Sequence, residues 1–202
     1  MTSFTERYLN DVARLAQTIP TAQVDAIAVR LAGLRDGAGR LFVLGVGGGA
    51  AHASHAVSDF RKLCGLEAYA PTDNVSELTA RVNDDGWETV FTEWLRTSRL
   101  TERDALLVFS VGGGSREHNL SPNLAVAIEL AKEIGADIFA FVGRRDGAAA
   151  QLADIAVVID APPELLTPHV EGLQAVLWHL LVSHPLLATK AGTWETVDGR
   201  TR

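Results

Sequence analysis

The sequence predicts one α/β domain with a parallel sheet covered by helices on both faces, and three observations predict it. Four apolar runs, Leu41-Phe42-Val43-Leu44, Asp104-ALLVFS, Asp137-IFAFVG and Ile155-AVVID, have the length and continuous apolarity of strands, the first of the kind buried on both faces. Stretches of ten or more residues that can form helices separate them, the mark of parallel βαβ units with right-handed crossovers. The first two runs pass straight into glycine turns, Gly45-Val46-Gly47-Gly48-Gly49 and Val111-Gly112-Gly113-Gly114-Ser115. In a parallel sheet both turns lie beyond the carboxyl ends of the strands, where ligands collect.

The elements follow in order. Residues 4–34 read as two helical pieces broken at Pro20: Leu9, Val12, Leu15 and Ala16 recur with helical spacing, then Val24, Ile27, Ala28, Leu31 and Leu34, with Thr21 placed to cap the second piece. The stretch after Gly49 continues as a helix, and Gly65-LEAYAPTDN as a short strand and turn. Asn74 and Glu77 hold capping-box positions, Asn83-Asp84-Asp85-Gly86 reads as a polar turn, and Trp87–Leu100 as a helix with Val90, Phe91, Trp94 and Leu95 inward. A helix over Asn123–Ile134 precedes the third run. A last long helix, from Glu164 or Pro168 to His184, carries Val170, Leu173, Leu177, Leu180 and Leu181 as its packing stripe. The domain is expected to span 1–188, with a polar tail over 189–202 that Trp194 could anchor.

At 202 residues the chain can bury a sizeable core. No apolar stretch reaches membrane-spanning length and the first residues lack a secretory apolar region. The one cysteine, Cys64, allows no internal disulfide, which points to the cytosol. A net charge of −7 without a basic run excludes general nucleic-acid binding, and leaves any bound phosphate to local backbone donors.

Strand, glycine turn and helix together make an anion site, because free N–H groups and the positive end of the dipole meet at the helix start. GVGGGA matches neither the dinucleotide fingerprint nor the P-loop, so the turn alone indicates only a phosphate- or sugar-binding loop or a plain tight turn. His55 and Asp59, four residues apart, share a face of the following helix; near an anion site they suit acid, base or metal-ligand roles, although a surface pair is the ordinary use of that spacing. Glu171 and His179 lie eight residues apart, about 80° around a helix, and share a broad face. Taken singly, His179 would be a core histidine and Glu171 a dipole partner.

Two glycine loops at strand ends, His55/Asp59 on one helix and Glu171/His179 on a late one together resemble the sugar isomerase (SIS) domain, and within it the phosphoheptose isomerases, from the leading helices to about His184. The resemblance implies a flavodoxin-like three-layer sandwich, a cytoplasmic homotetramer in which residues 1–36 pack between subunits, zinc as cofactor, and a phosphorylated sugar as substrate. It implies interconversion of sedoheptulose 7-phosphate and a heptose 7-phosphate. Carried over residue by residue, Val46-Gly47-Gly48 is the first loop, Asn83-Asp84 the Asn-Asp pair, and Ser110-Val111-Gly112 with Ser115 the phosphate loop. His55, Asp59, Glu171 and His179 become the metal set, Glu171 also facing substrate, with Asp59 moving the carbon-bound proton and His179 serving the oxygen side.

The chain departs from the family's usual form. Asp59 stands where Glu is usual and Glu171 where Gln is; Gly49 and Gly112 replace Ser, and Val111 replaces Thr. Residues 116–123, REHNLSPN, are an insertion that can reshape the pocket and bring Arg116 to a phosphate. Two further readings stand beside the heptose isomerase: an isomerase of another sugar phosphate, and a non-catalytic SIS module that senses a sugar phosphate or scaffolds a complex.

Overall fold

The structure, a computed structural model, describes residues 2–190. Strands β1 (Leu41–Gly45), β2 (Ala68–Tyr69), β3 (Ala105–Ser110), β4 (Asp137–Val142) and β5 (Ile155–Val158) are all parallel, in the order β2-β1-β3-β4-β5. Eight helices accompany them: α1 (Phe4–Gln17), α2 (Thr21–Asp36), α3 (Gly48–Cys64), α4 (Val75–Asp84), α5 (Val90–Thr97), α6 (Pro122–Ile134), α7 (Ala148–Leu152) and α8 (Leu166–Ser183). Successive strand residues point to opposite faces, which builds two cores. Leu41, Val43, Leu107, Phe109, Phe139 and Phe141 pack under α1, α2, α3 and α8. Phe42, Leu44, Leu106, Val108, Ile138 and Ala140 pack under α5, α6 and α7. The expected three-layer sandwich is the one found.

Local chemistry sets most boundaries. Ser3 and Glu6 form a reciprocal capping box at the start of α1. Pro20 occupies the N-cap place of α2, so Thr21 is that helix's first residue rather than its cap. Asn74 accepts from Ser76 and Glu77 backbone N–H groups, but the Glu77 carboxylate turns to Arg81, leaving the box half made. Asn83 and Asp84 end α4 instead of forming a turn; the bend begins at Asp85, with Gly86 at φ +89°. The five-residue α7 has no counterpart in the sequence reading, being too short to show a period. Leu180 is 41% exposed, so the stripe of α8 is Val170, Leu173, Leu177 and Leu181, joined by Trp178. The expected tail opens with Thr189 and Lys190 donating to the Leu63 carbonyl; Trp194 lies outside the described residues.

The sheet order turns back between β1 and β3, and in such sheets the crevice for ligands opens at that switch, beyond the carboxyl ends. Both glycine turns lie there. Gly47, at φ +59°, takes a conformation that side chains resist. A Cβ on Gly49 would sit 2.4 Å from the Phe109 carbonyl oxygen, so only glycine lets the first turn of α3 close onto the end of β3. Cys64 ends α3 buried against the Val182 carbonyl, and burial pushes its thiol up to about 11, leaving it inert.

The opposite end of the sheet is tied by Asp104, 3% exposed. It accepts from the Arg40 backbone N–H, the Arg40 guanidinium and both donors of Thr101, at 2.7–3.0 Å. Burial alone would raise this carboxyl; the hydrogen bonds from Arg40 and Thr101 outweigh it and hold the group below its ordinary range. A depressed carboxyl stabilises the fold above about pH 4 and loses that contribution as pH falls through its folded-state value. Asp104→Asn should therefore cost about 3 kcal/mol at pH 7 in urea unfolding and flatten the loss of stability below pH 4.

Candidate active site

At the β1/β3 switch lies a cavity of about 200 Å³ lined by Val46, Gly49, Phe109, Ser110, Val111, Gly112, Ser121, Thr167, Glu171 and Gln174. Three helices begin at its wall. Gly49 is in the first turn of α3, Ser121 is the N-cap of α6, and Thr167 is in the first turn of α8. Their positive ends converge, and no lysine or arginine lines the space. Ser110 Oγ accepts from the Gly113 N–H at 2.9 Å, which shapes the second turn. Ser121 makes no capping bond with its side chain.

Of the residues carried over to bind substrate, Val46, Ser110, Val111, Gly112 and Glu171 line this cavity. Gly47 and Gly48 complete its first turn, and the Glu171 carboxylate lies over Gly48, its Oε1 2.5 Å from where a Cβ would stand. Ser115 stands apart. Its backbone pairs with Leu120 in both directions and its Oγ accepts from the His118 N–H, so the insertion closes on itself and leaves Ser115 outside. Arg116 is paired with Glu88 and Glu129 and does not line the cavity. Asn83 and Asp84 are exposed on the last turn of α4, bonded to each other at 2.7 Å, and do not line it either.

Sequence reasoning missed Ser121, Thr167 and Gln174. Ser121 had a signal: Pro122 suits the first position of a helix, which makes the residue before it an N-cap at the ligand edge of the sheet. Gln174 follows Glu171 by three residues and so shares its face. Nothing in the sequence singles out Thr167.

α3 and α8 run side by side in the same direction. Gly48 lies against Glu171, His52 against Gln174, His55 against Trp178 and His179, and Cys64 against Val182. Two turns beyond the cavity this pairing gathers His55, Asp59 and His179, with one ligand atom from each within 4.8 Å of the others. His55 Nε2 stands 3.8 Å from Asp59 Oδ2. His179 Nδ1 is 2.7 Å from the Ala175 carbonyl; a carbonyl only accepts, so Nδ1 carries the proton and Nε2 keeps a free lone pair.

Two imidazoles and a carboxylate suit a divalent ion, and the ligand atoms need close by only about an ångström to meet one at zinc–ligand distances. Glu171 is not of this group: eight residues of helix place it roughly 12 Å from His179 along the axis, and its carboxylate lies against Gly48. The four-residue metal set read from the sequence thus reduces, within one chain, to three. Trp178, 1% exposed, backs the cluster, its ring centroid 4.5 Å from that of His55 and 3.4 Å from that of His179. The outer side is open: the His55 side chain is 60% exposed.

Known proteins share this architecture. No family model matches the chain. The lincomycin biosynthesis protein LmbN of Streptomyces lincolnensis is 33% identical over 200 residues, covering 94% of this chain and 69% of its own length. A phosphoheptose isomerase of Trichlorobacter lovleyi is 31% identical over 189 residues, covering 90% and 91%. The solved phosphoheptose isomerase of Neisseria gonorrhoeae superposes with a TM-score of 0.76 at 25% identity, over 89% of this chain and 98% of that one. That of Francisella tularensis, at 22% identity, shares the fold with a TM-score of 0.75 over 90% and 97%. With the fold shared at a TM-score of 0.76 and identity above 30% across nearly the whole of a curated relative, this chain belongs to the phosphoheptose isomerase family of SIS-domain proteins.

Proposed function

We propose that the chain is an aldose–ketose isomerase of a phosphorylated sugar, converting sedoheptulose 7-phosphate to D-glycero-D-manno-heptose 7-phosphate. The observation that carries the reading is the meeting of Asp59 and His179, from helices over a hundred residues apart in sequence, in line with a cavity built of helix N-termini. From Gly49 to His55, and from Glu171 to His179, the rise of the two helices is roughly 9–12 Å. An open-chain sugar phosphate has the length to reach from one to the other.

The phosphate rests on the cavity's backbone N–H groups and on the hydroxyls of Ser110, Ser121 and Thr167. Glu171, the one charged residue lining the cavity, yields that position when the dianion enters. At the far end a proton moves between C1 and C2 through an enediol. Asp59 has two oxygens: Oδ2 faces His55, and Oδ1 is left to take and return the carbon-bound proton. His179 has one free nitrogen, Nε2, for the oxygen side. His55, Asp59 and His179 would hold a zinc ion, which when bound supplies Lewis-acid polarisation of the sugar oxygen. Since Nε2 is the only free nitrogen of His179, this residue either holds the ion or carries the proton, never both at once.

The chain is proposed to work as a cytoplasmic homotetramer built from residues 1–188, with 1–36 in the contacts. The exposed apolar side chains of Leu9 on α1, Val29 on α2, and Val176 and Leu180 on α8 support this, as does the open side of the cluster. No helix among the described residues is long and apolar enough to cross a membrane. A second reading, an isomerase of a different sugar phosphate, has specific support. Glu171 narrows and charges the cavity, and one relative is named for the biosynthesis of lincomycin.

Asp59→Asn should lower kcat on the preferred C5–C7 ketose phosphate by about 10²–10⁴ while the thermal midpoint holds; near-wild-type turnover would remove Asp59 from the chemistry. Chelation followed by zinc should abolish and then restore turnover, and activity that survives removal of all metal leaves His179 as the proton carrier. Light scattering at micromolar concentration should give four times the chain mass, and a monomer would overturn the assembly.

A further inference from the structure

α3 carries a third imidazole between the cavity and the cluster. His52 lies one turn past Gly49 and one before His55, and its Nδ1 is 3.4 Å from Gln174 Oε1. Gln174 is fully buried, and its Nε2 donates to the Phe141 carbonyl at 2.8 Å. Turning the amide over would set oxygen against oxygen, so Oε1 must face His52. The imidazole proton then sits on Nδ1, and Nε2, on the ring edge away from Gln174, keeps its lone pair. The ring stands edge-on to Phe109, which lines the cavity (89°, centroids 6.1 Å apart).

We infer that His52 is a specificity-determining residue, accepting through Nε2 a hydrogen bond from a substrate hydroxyl midway between the phosphate and the reacting carbons. The inference rests on the isomerase reading for its substrate. It requires more than a histidine that satisfies a buried glutamine. A buried amide needs a donor opposite its oxygen, and a serine, threonine or asparagine would supply one. Histidine adds a second acceptor on the opposite edge of the ring, and it stands on α3 one turn from the cavity-lining Gly49 and one turn from His55, between the cavity and the cluster.

Two isosteric replacements separate the two edges of the ring. Asparagine can present a donor where Nδ1 stands and nothing where Nε2 stands; glutamine can reach the Nε2 position with an acceptor and gives up the inner donor. His52→Asn should keep the wild-type unfolding midpoint yet lose about tenfold in kcat/KM on sedoheptulose 7-phosphate, mostly through KM, the worth of one hydrogen bond. His52→Gln should recover most of that loss even if it is less stable. On the 4-deoxy or the 5-deoxy analogue, whichever lacks the partner hydroxyl, wild type and His52→Asn should become equal. His52→Asn with unchanged kcat/KM, or a tenfold loss that persists on both analogues, overturns the assignment. If the wild type isomerises no ketose phosphate, the isomerase reading fails on its own account. Calorimetric binding of sedoheptulose 7-phosphate to the same proteins then decides His52, with about tenfold weaker binding to His52→Asn supporting it and equal or undetectable binding to both overturning it.

Discussion

The chemistry of this chain depends on one packing constraint, the parallel contact of α3 with α8. Parallel strands all deliver the chain to the same edge of the sheet, so the helices that follow β1, β3 and β5 all begin there. The glycine at 49 draws α3 down onto β3, and Val170, Leu173, Leu177 and Leu181 hold α8 on the same core. The result is a focus of three positive helix ends in a protein whose net charge is −7. On the proposed reading, a phosphate is recognised there by local dipoles that the global charge does not cancel, because the field of a helix end is strong only within its first turn.

Much of the architecture was written in composition and spacing. Unbroken apolar runs identified four of the five strands, of which β1, β3 and β4 are buried while β5, at the sheet edge, is mostly half-buried; β2, two residues long, was visible only as a short extended stretch before Pro71. Where the reading went astray, the deciding contacts were between elements. Nothing local says that Glu77 prefers Arg81 to its own helix start, or that Asn83 and Asp84 complete a helix. Ser115 and Ser121 differ by which one lies inside a small antiparallel closure, a long-range fact that a run of polar residues conceals. For the site, the residue types and their pairing on helices were legible. The angular argument that placed Glu171 with His179 ignored the axial rise, and that rise is what separates them.

Backbone groups also act on the side-chain chemistry. The Ala175 carbonyl fixes which nitrogen of His179 is free, and the Phe141 carbonyl, acting through Gln174, does the same for His52. Neither arrangement requires a second ionisable residue, so both imidazoles are oriented without adding charge to a site that already carries Asp59 and Glu171. Burial of Gln174 and of Trp178 behind the rings keeps those orientations from relaxing.

If the phosphate and the reacting carbons sit as proposed, the side-by-side run of α3 and α8 makes the site a molecular ruler. Its two ends are separated by a whole number of residues on each of two rigid rods, so that length can change only in increments of the 1.5 Å helical rise and only together with a rotation of about 100° per residue. Evolution can thus alter which hydroxyls the walls accept far more readily than how long a sugar they measure, and relatives acting on shorter or longer chains would have to move the gripping groups between turns, keeping the rods themselves.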